Sequence, residues 1–182
     1  MCIMSYLELV ELVDNGTIEG SSRDAINSAS IDIHLGSIIL VENISKVTDL
    51  KYLDKKAQLN VERVELGESG EYCLAPGEFV LAQSREKFNL PNNISAEYKL
   101  KSSMARLGLE HLNAGWCDAG WNGSVLTLEL KNMTRGHRIV IKAGDRIGQM
   151  VFYKHQPVPA DKSYAVRGSY NGDTEVKGVK VK

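Results

Sequence analysis

Period-two alternation of apolar and polar residues, broken by turn-forming pairs, constrains this chain more than any other feature. Ile31, Ile33 and Leu35 alternate with Asp32 and His34, and Leu126, Leu128 and Leu130 alternate with Thr127, Glu129 and Lys131. Such a pattern buries one face of a strand and leaves the other free. Pairs such as Pro76-Gly77, Asn122-Gly123 and Ala143-Gly144 punctuate the rest and read as turns. Many short strands at this spacing predict a mainly-β sandwich or barrel of jelly-roll type. One segment departs from the pattern. Ser5 with Glu8 forms a capping box, Leu9, Leu12 and Val13 give an apolar stripe and Gly16 is a stop, so an N-terminal helix is predicted. SSMARLGLEHL predicts a second, short helix between strands.

With 182 residues, 43% of them hydrophobic, the chain has the material for one compact domain spanning 1–182. It has no internal repeat. A net charge of −1 argues against a nucleic-acid surface but leaves room for a small anion in a local basic pocket. No run approaches a membrane span, and the N-terminal MCIMSYLELVELV lacks a basic start and a small-residue cleavage site. Cys2, Cys73 and Cys117 are odd in number and widely spaced, which fits a reduced, cytoplasmic protein. The segment from about Ala160 is polar, contains Gly168 and Gly172 and ends in EVKGVKVK; it reads as a tail that is mobile when unliganded.

Candidate chemistry concentrates between Lys101 and Gln149. Lys101, Ser102 and Ser103 offer an ammonium, two hydroxyls and the first N–H groups of a short helix, with Arg106 one turn on. These groups can hold a phosphate chain without a P-loop. Asp118 and Glu129 supply two carboxylates. Glu129 shares the strand face of Thr127 and Lys131, opposite the three leucines, and is either a solvated strand residue or a general acid–base group. An Asp before Ala-Gly is equally a turn former. The chain has no C-x-x-C, and His34, His111, His137 and His155 stand at no metal-ligand spacing. The zinc deaminase signature is therefore excluded on sequence grounds.

KSSMARLGL, AGWCDAGWNG, LTLELKN and GDRIGQM resemble, in order, the phosphate-binding segment, the loop, the Glu-bearing strand and the G-x-R-I-G-Q segment of the dCTP deaminases, within the dUTPase / dCTP deaminase superfamily. Weaker matches in SASIDIHLGS, LAPGEFVLA and GSYNGD extend the resemblance from about Ile26 to about Thr174. It implies a distorted jelly-roll or β-barrel of the dUTPase type, carrying an N-terminal helix and a short helix at the phosphate site. It also implies hydrolysis of dCTP to dUTP and ammonia for dTTP supply, with dTTP as a candidate inhibitor and a homotrimer as the assembly. Glu129 takes the position of the catalytic Glu, with Thr127 beside it in the nucleotide site. Ser102 and the backbone carbonyl of Ala114 match the groups that hold the attacking water. Lys101, Ser103, Arg106 and Gln149 match phosphate contacts, and Asp118 matches the deoxyribose contact. Tyr164 and Tyr170 match tail tyrosines. Mg²⁺ would arrive with the triphosphate, held mostly by phosphate oxygens and water.

Gly115-Trp116 is closer to the pattern of bifunctional members, in which the Asp matching Asp118 also orients water at the α-phosphate; dUMP and pyrophosphate are then the products. A plain dUTPase is disfavoured by Glu129, and a catalytically silent nucleotide-sensing relative by the intact site set. Three departures stand out. Asp118 to Glu129 spans eleven residues, one more than the family spacing, which implies a bulge near Ser124-Val125. Arg106 to Asp118 is one residue short. Ser169 and Asp173 stand where the family commonly has the Lys and Gln that contact phosphate and base, so the resemblance implies a nucleotide contact at Asp173.

Overall fold

The computed structural model describes residues 2–45, 47, 49–51, 58–67 and 69–180. In chain order its elements are β1 (Cys2–Ile3), α1 (Tyr6–Asp14), β2 (Ile18–Glu19), β3 (Ile31–Glu42), β4 (Val61–Glu65), β5 (Glu71–Leu74), β6 (Phe79–Asn89) and β7 (Ile94–Leu100). They continue as α2 (Ser102–Arg106), β8 (Leu109–Glu110), β9 (Trp116–Cys117), β10 (Asn122–Asn132), β11 (Ile139–Lys142), β12 (Arg146–Lys154) and α3 (Tyr164–Arg167). The protein is mainly β, as the alternation requires. Its large antiparallel sheet runs β8-β10-β6-β3-β12-β7-β9 and curls on itself, with β11 and β5 paired separately.

Helix α1 forms where the capping box predicts it. The Glu8 carboxylate accepts from the Ser5 N–H and hydroxyl, each at 2.9 Å, and Leu9 and Leu12 are buried. The chain then turns away through Gly16, which has a positive φ of 76°.

Strand β3 joins the two halves of the curl. Its first residues, Ile31 to His34, pair with β12; Leu35 and then Ile39 to Val41 pair with β6. Gly36 sits at the crossing. A Cβ there would lie 2.8 Å from Gln83 Cγ and 3.1 Å from two β6 carbonyl oxygens, so only glycine lets the strands approach so closely. Glu86, fully buried on β6, accepts from the His34 N–H at 2.9 Å and contacts His34 Nδ1 at 2.7 Å. That buried pair ties the bend to the neighbouring strand.

Strand β10 presents Leu126, Leu128 and Leu130 to the main core, where Leu128 and Leu130 are wholly buried. Its ladder with β6 slips between Asn122 and Ser124 and again between Val125 and Thr127. The bulge implied by the long Asp118–Glu129 interval is therefore present, and it restores the leucine face to the core before Glu129 is reached.

Leu128→Ala is expected to destabilise the fold by about 2–5 kcal/mol in a urea titration. Leu7→Ala, on the exposed side of α1, should stay within about 0.5 kcal/mol of wild type. Equal effects would mean that β10 is not a core strand.

Candidate active site

A cavity of about 490 Å³ opens on the non-core face of β10, lined among others by Thr127, Glu129, Ala114, Trp116 and Asp118. Phe79 and Leu81 give it an apolar wall. The loop carrying Ala114 wraps Tyr98. Gly115 accepts from the Tyr98 N–H at 2.8 Å, and a Cβ on Gly115 would come within 2.6 Å of Tyr98 O. Glycine at this position lets the loop lie flat enough to bring Ala114 to the cavity.

Glu129 is not a solvated strand residue. Its side chain is 25% exposed, yet Oε2 is shut off from solvent and has no hydrogen-bond partner. Burial raises its pKa above the ordinary carboxylate value because desolvation penalises the charged form. Asp118 is set differently. Its Oδ1 accepts from Trp116 Nε1 at 2.9 Å, so the half-exposed indole fixes the carboxylate at the cavity rim. Trp121, by contrast, packs: it is buried against Phe88 with ring centroids 5.3 Å apart.

The tail closes the far side. Tyr164, Tyr170, Asp173, Lys177 and Val179 all line the cavity. Its seat is the stretch of β10 from Asn122 to Val125. Val125 N–H donates to Asp173 O at 2.9 Å, Gly172 N–H to Asn122 O at 3.0 Å, and Ser124 Oγ to Tyr170 O at 2.9 Å. Farther along, Val176 is buried in a small cluster with Ile38, Leu40 and Leu81. Asp173, read as a nucleotide contact, has both oxygens engaged by lysines. Lys177 Nζ lies 2.8 Å from Oδ1 and Lys180 Nζ 2.6 Å from Oδ2. Burial pushes its carboxyl upward, but hydrogen bonds from Lys177 and Lys180 outweigh this and hold it below the usual range. Val181 and Lys182 lie outside the described residues.

The residues read as an anion clamp lie elsewhere on the chain. Lys101 precedes α2, with Ser102, Ser103 and Arg106 exposed on it. Neither these residues nor Gln149 lines the cavity. Lys101 Nζ donates to Asp32 Oδ1 at 2.7 Å, and Arg146 Nη1 lies 3.5 Å from Asp32 Oδ2. Gln149 faces Asp32 across the β3–β12 ladder. Asp32 is only 2% exposed; its burial is outweighed by hydrogen bonds from Lys101 and Asn27, which keep its carboxyl ionised more readily than usual.

Sequence reasoning brings Ala114, Asp118, Thr127, Glu129, Tyr164, Tyr170 and Asp173 to one cavity, and it missed Asp32, Arg146, His111 and Lys177. Asp32 was visible as a polar residue in an apolar strand. His111 carried no signal in spacing or periodicity.

The family model described as dCTP deaminase-like matches residues 3–155. The chain belongs to that family. It is 38% identical over 160 residues to a "dCTP deaminase, dUMP-forming" of Corynebacterium diphtheriae, covering 85% of this chain and 83% of the relative. A protein of the same description from Persephonella marina is 35% identical over 174 residues, covering 93% and 92%. Among solved structures, the 2'-deoxycytidine 5'-triphosphate deaminase of Agrobacterium tumefaciens aligns with a TM-score of 0.64 at 26% identity. That alignment covers 82% of this chain, which spans only 47% of the Agrobacterium chain. A dUTPase of Streptococcus mutans, at TM-score 0.50 and 18% identity over 77% of this chain and 88% of its own, shares the fold. The dUTPase-type β architecture expected from the motifs is thus the one this dCTP deaminase-like chain adopts.

The raised pKa of Glu129 has a measurable consequence. A carboxyl whose pKa is raised by folding binds its proton more tightly in the native state, so stability falls as pH rises from the unfolded towards the folded value. Glu129→Gln removes that penalty. It should therefore raise the melting temperature at neutral pH and leave it nearly unchanged below pH of about 4, under the ordinary glutamate value. The same shift at both pH values would show that Glu129 is an ordinary surface carboxylate.

Proposed function

We propose that this protein is a bifunctional dCTP deaminase that converts dCTP and water to dUTP and ammonia, then dUTP and water to dUMP and pyrophosphate. The observation that carries the proposal is the pair of unlike carboxyl groups in one cavity, Glu129 desolvated and Asp118 at the rim. The sequence motifs alone favour release of dUTP as the first reading. The dUMP-forming descriptions of the relatives, together with Gly115-Trp116, support the continued reaction.

In this reading the cytosine enters beside Glu129. A water held by the Ala114 carbonyl and Ser102 attacks C4 while Glu129 takes its proton and passes one to N3. Glu129 then takes the proton of the new C4 hydroxyl and delivers it to the amine, so that the C4 carbonyl forms as the C4–N bond breaks and ammonia leaves. One carboxyl group of raised pKa can act as base first and acid afterwards. Asp118 contacts the sugar and orients a second water towards the α-phosphorus. Tyr164 and Tyr170 exclude bulk water as the tail closes, and the lysine-bound Asp173 holds the tail in place rather than reading the base. The cavity carboxylates do not form a cage of free oxygen donors, since Asp118 is bonded to Trp116 and Asp173 to lysines. Mg²⁺ therefore fits as the counter-ion of the triphosphate, bound through phosphate oxygens. A dTTP-sensitive step in dTTP supply, in a reducing cytoplasm, is consistent with this reading and with the free Cys2, Cys73 and Cys117.

The site is completed by a second copy of the chain. Lys101, Ser102, Ser103, Arg106 and Gln149 carry the phosphate-binding motifs but do not line the cavity of their own chain. Leu107, Leu112, Trp116 and Met133 are exposed apolar side chains around α2 and the cavity loop, a patch that association would cover. A homotrimer in which the clamp of one protomer faces the Glu129 strand of the next satisfies both facts.

Incubation of the protein with dCTP and Mg²⁺, followed by nucleotide chromatography and pyrophosphate assay, is expected to give dUMP and pyrophosphate without accumulation of dUTP. Accumulated dUTP would make the enzyme monofunctional, and the absence of any uracil nucleotide would end the deaminase reading. Mixing inactive Arg106→Ala and Glu129→Gln proteins should restore activity by forming some sites with both wild-type groups. No recovery after verified subunit exchange would rule out shared sites.

A further inference from the structure

Among the described residues, Glu129 Oε2, His111 Nε2 and Tyr98 Oη are buried polar atoms without hydrogen-bond partners. Unpaired polar atoms are rare inside proteins, and each one needs a physical reason. His111 Nε2 lies 3.5 Å from Glu129 Oε2, and its side chain is only 5% exposed. The imidazole rests on the Tyr98 ring with centroids 4.4 Å apart, and the His111 N–H donates to Glu110 Oε1 at 2.9 Å. The ring is thus held on one side by an aromatic face and at its backbone by β8, with its edge towards the carboxyl group. Glu129 Oε2 is sealed, so the rest of the side chain is what meets the cavity.

We infer that His111 is a positioning residue for Glu129, its Nε2 holding the sealed oxygen so that the other stays aimed at the ligand. The inference rests on the reading of Glu129 as the proton carrier and adds to it a residue that touches no substrate. Desolvation lowers the His111 pKa to about 4, so the ring is neutral at working pH. A neutral imidazole offers one accepting and one donating nitrogen according to tautomer. At Nε2 it accepts from the protonated carboxyl or donates to the carboxylate, and so meets both states through which a shuttling Glu passes. The 3.5 Å contact is long for a hydrogen bond; catalytic contacts of this kind shorten when ligand closes the site. The other titratable groups near the pair are Tyr98 and Cys117, both pushed upward by burial with a smaller effect from Glu129; Glu110 lies on the His111 side. On the cavity side stand Asp118, bonded to Trp116, and Lys177, paired with Asp173; among the described residues the ring edge of His111 is the polar group given against the sealed oxygen.

Two substitutions separate positioning from packing. His111→Leu fills the space without a polar nitrogen, whereas His111→Gln places an amide near the position of Nε2. His111→Leu should lower kcat for dCTP deamination by about 10-fold or more, a part of the 10²–10⁴ that general acid–base catalysis contributes, while KM changes little. Its loss of a polar neighbour disfavours the Glu129 carboxylate further, so the acidic limb of the kcat profile should move to higher pH. His111→Gln should recover most of kcat and return the limb towards wild type. Equal impairment of the two variants, or a wild-type profile in His111→Leu, would overturn the inference. An activity-independent test uses the folded protein. The ring ¹⁵N resonances of His111 should shift between wild type and Glu129→Gln, and identical resonances would also overturn it. This arm stands even if the wild type does not deaminate dCTP, so its failure is distinguishable from failure of the functional reading.

Discussion

Burial of Leu126, Leu128 and Leu130 in one core face fixes the direction of everything on the other face of β10. With side chains alternating at a period of two, Glu129 has no route to the core and must project into the space bounded by the Ala114 loop and the tail. A one-residue slip would reverse this for the whole strand. The β10 bulge absorbs the extra residue between Asp118 and Glu129. It thereby preserves both the leucine face and the position of the carboxyl group, and the same stretch of β10, from Asn122 to Val125, bonds the tail.

Glu129 and Asp118 line one cavity in different surroundings. Glu129 is desolvated by burial, which raises its pKa above the ordinary carboxylate value, and its Oε2 has no hydrogen-bond partner. Asp118 lies at the rim beside an indole N–H. Farther along the tail, Asp173 shows a third solution, in which two lysines neutralise a buried carboxylate and tie the chain end down.

Much of this was legible in the sequence because it depends on short-range pattern. The Ser5–Glu8 box marks α1, alternation marks β3 and β10, and the Asp118–Glu129 spacing marks the bulge. The cavity residues followed from motif resemblance. What was not legible depends on contacts between distant segments. Glu86 reaches back to His34 across the β3 bend, and Val176 inserts beside Ile38 and Leu40. The tail, which composition reads as mobile, is seated in this structure by hydrogen bonds to Asn122, Ser124 and Val125. His111 gives no pattern of its own, since its importance comes from the burial of Tyr98 and Glu129 around it. The division of the motifs between two surfaces of one chain is likewise set by the curl of the sheet, which local propensity does not encode.

The central claim is that Glu129 carries the proton in deamination. The most direct test is ammonia release from dCTP by Glu129→Gln, with nucleotide binding measured on the same preparation. Glutamine keeps the shape and the hydrogen-bonding capacity but cannot shuttle a proton. The account predicts a loss of rate of at least about 10²–10⁴-fold with dCTP still bound. Deamination at a substantial fraction of the wild-type rate would contradict it.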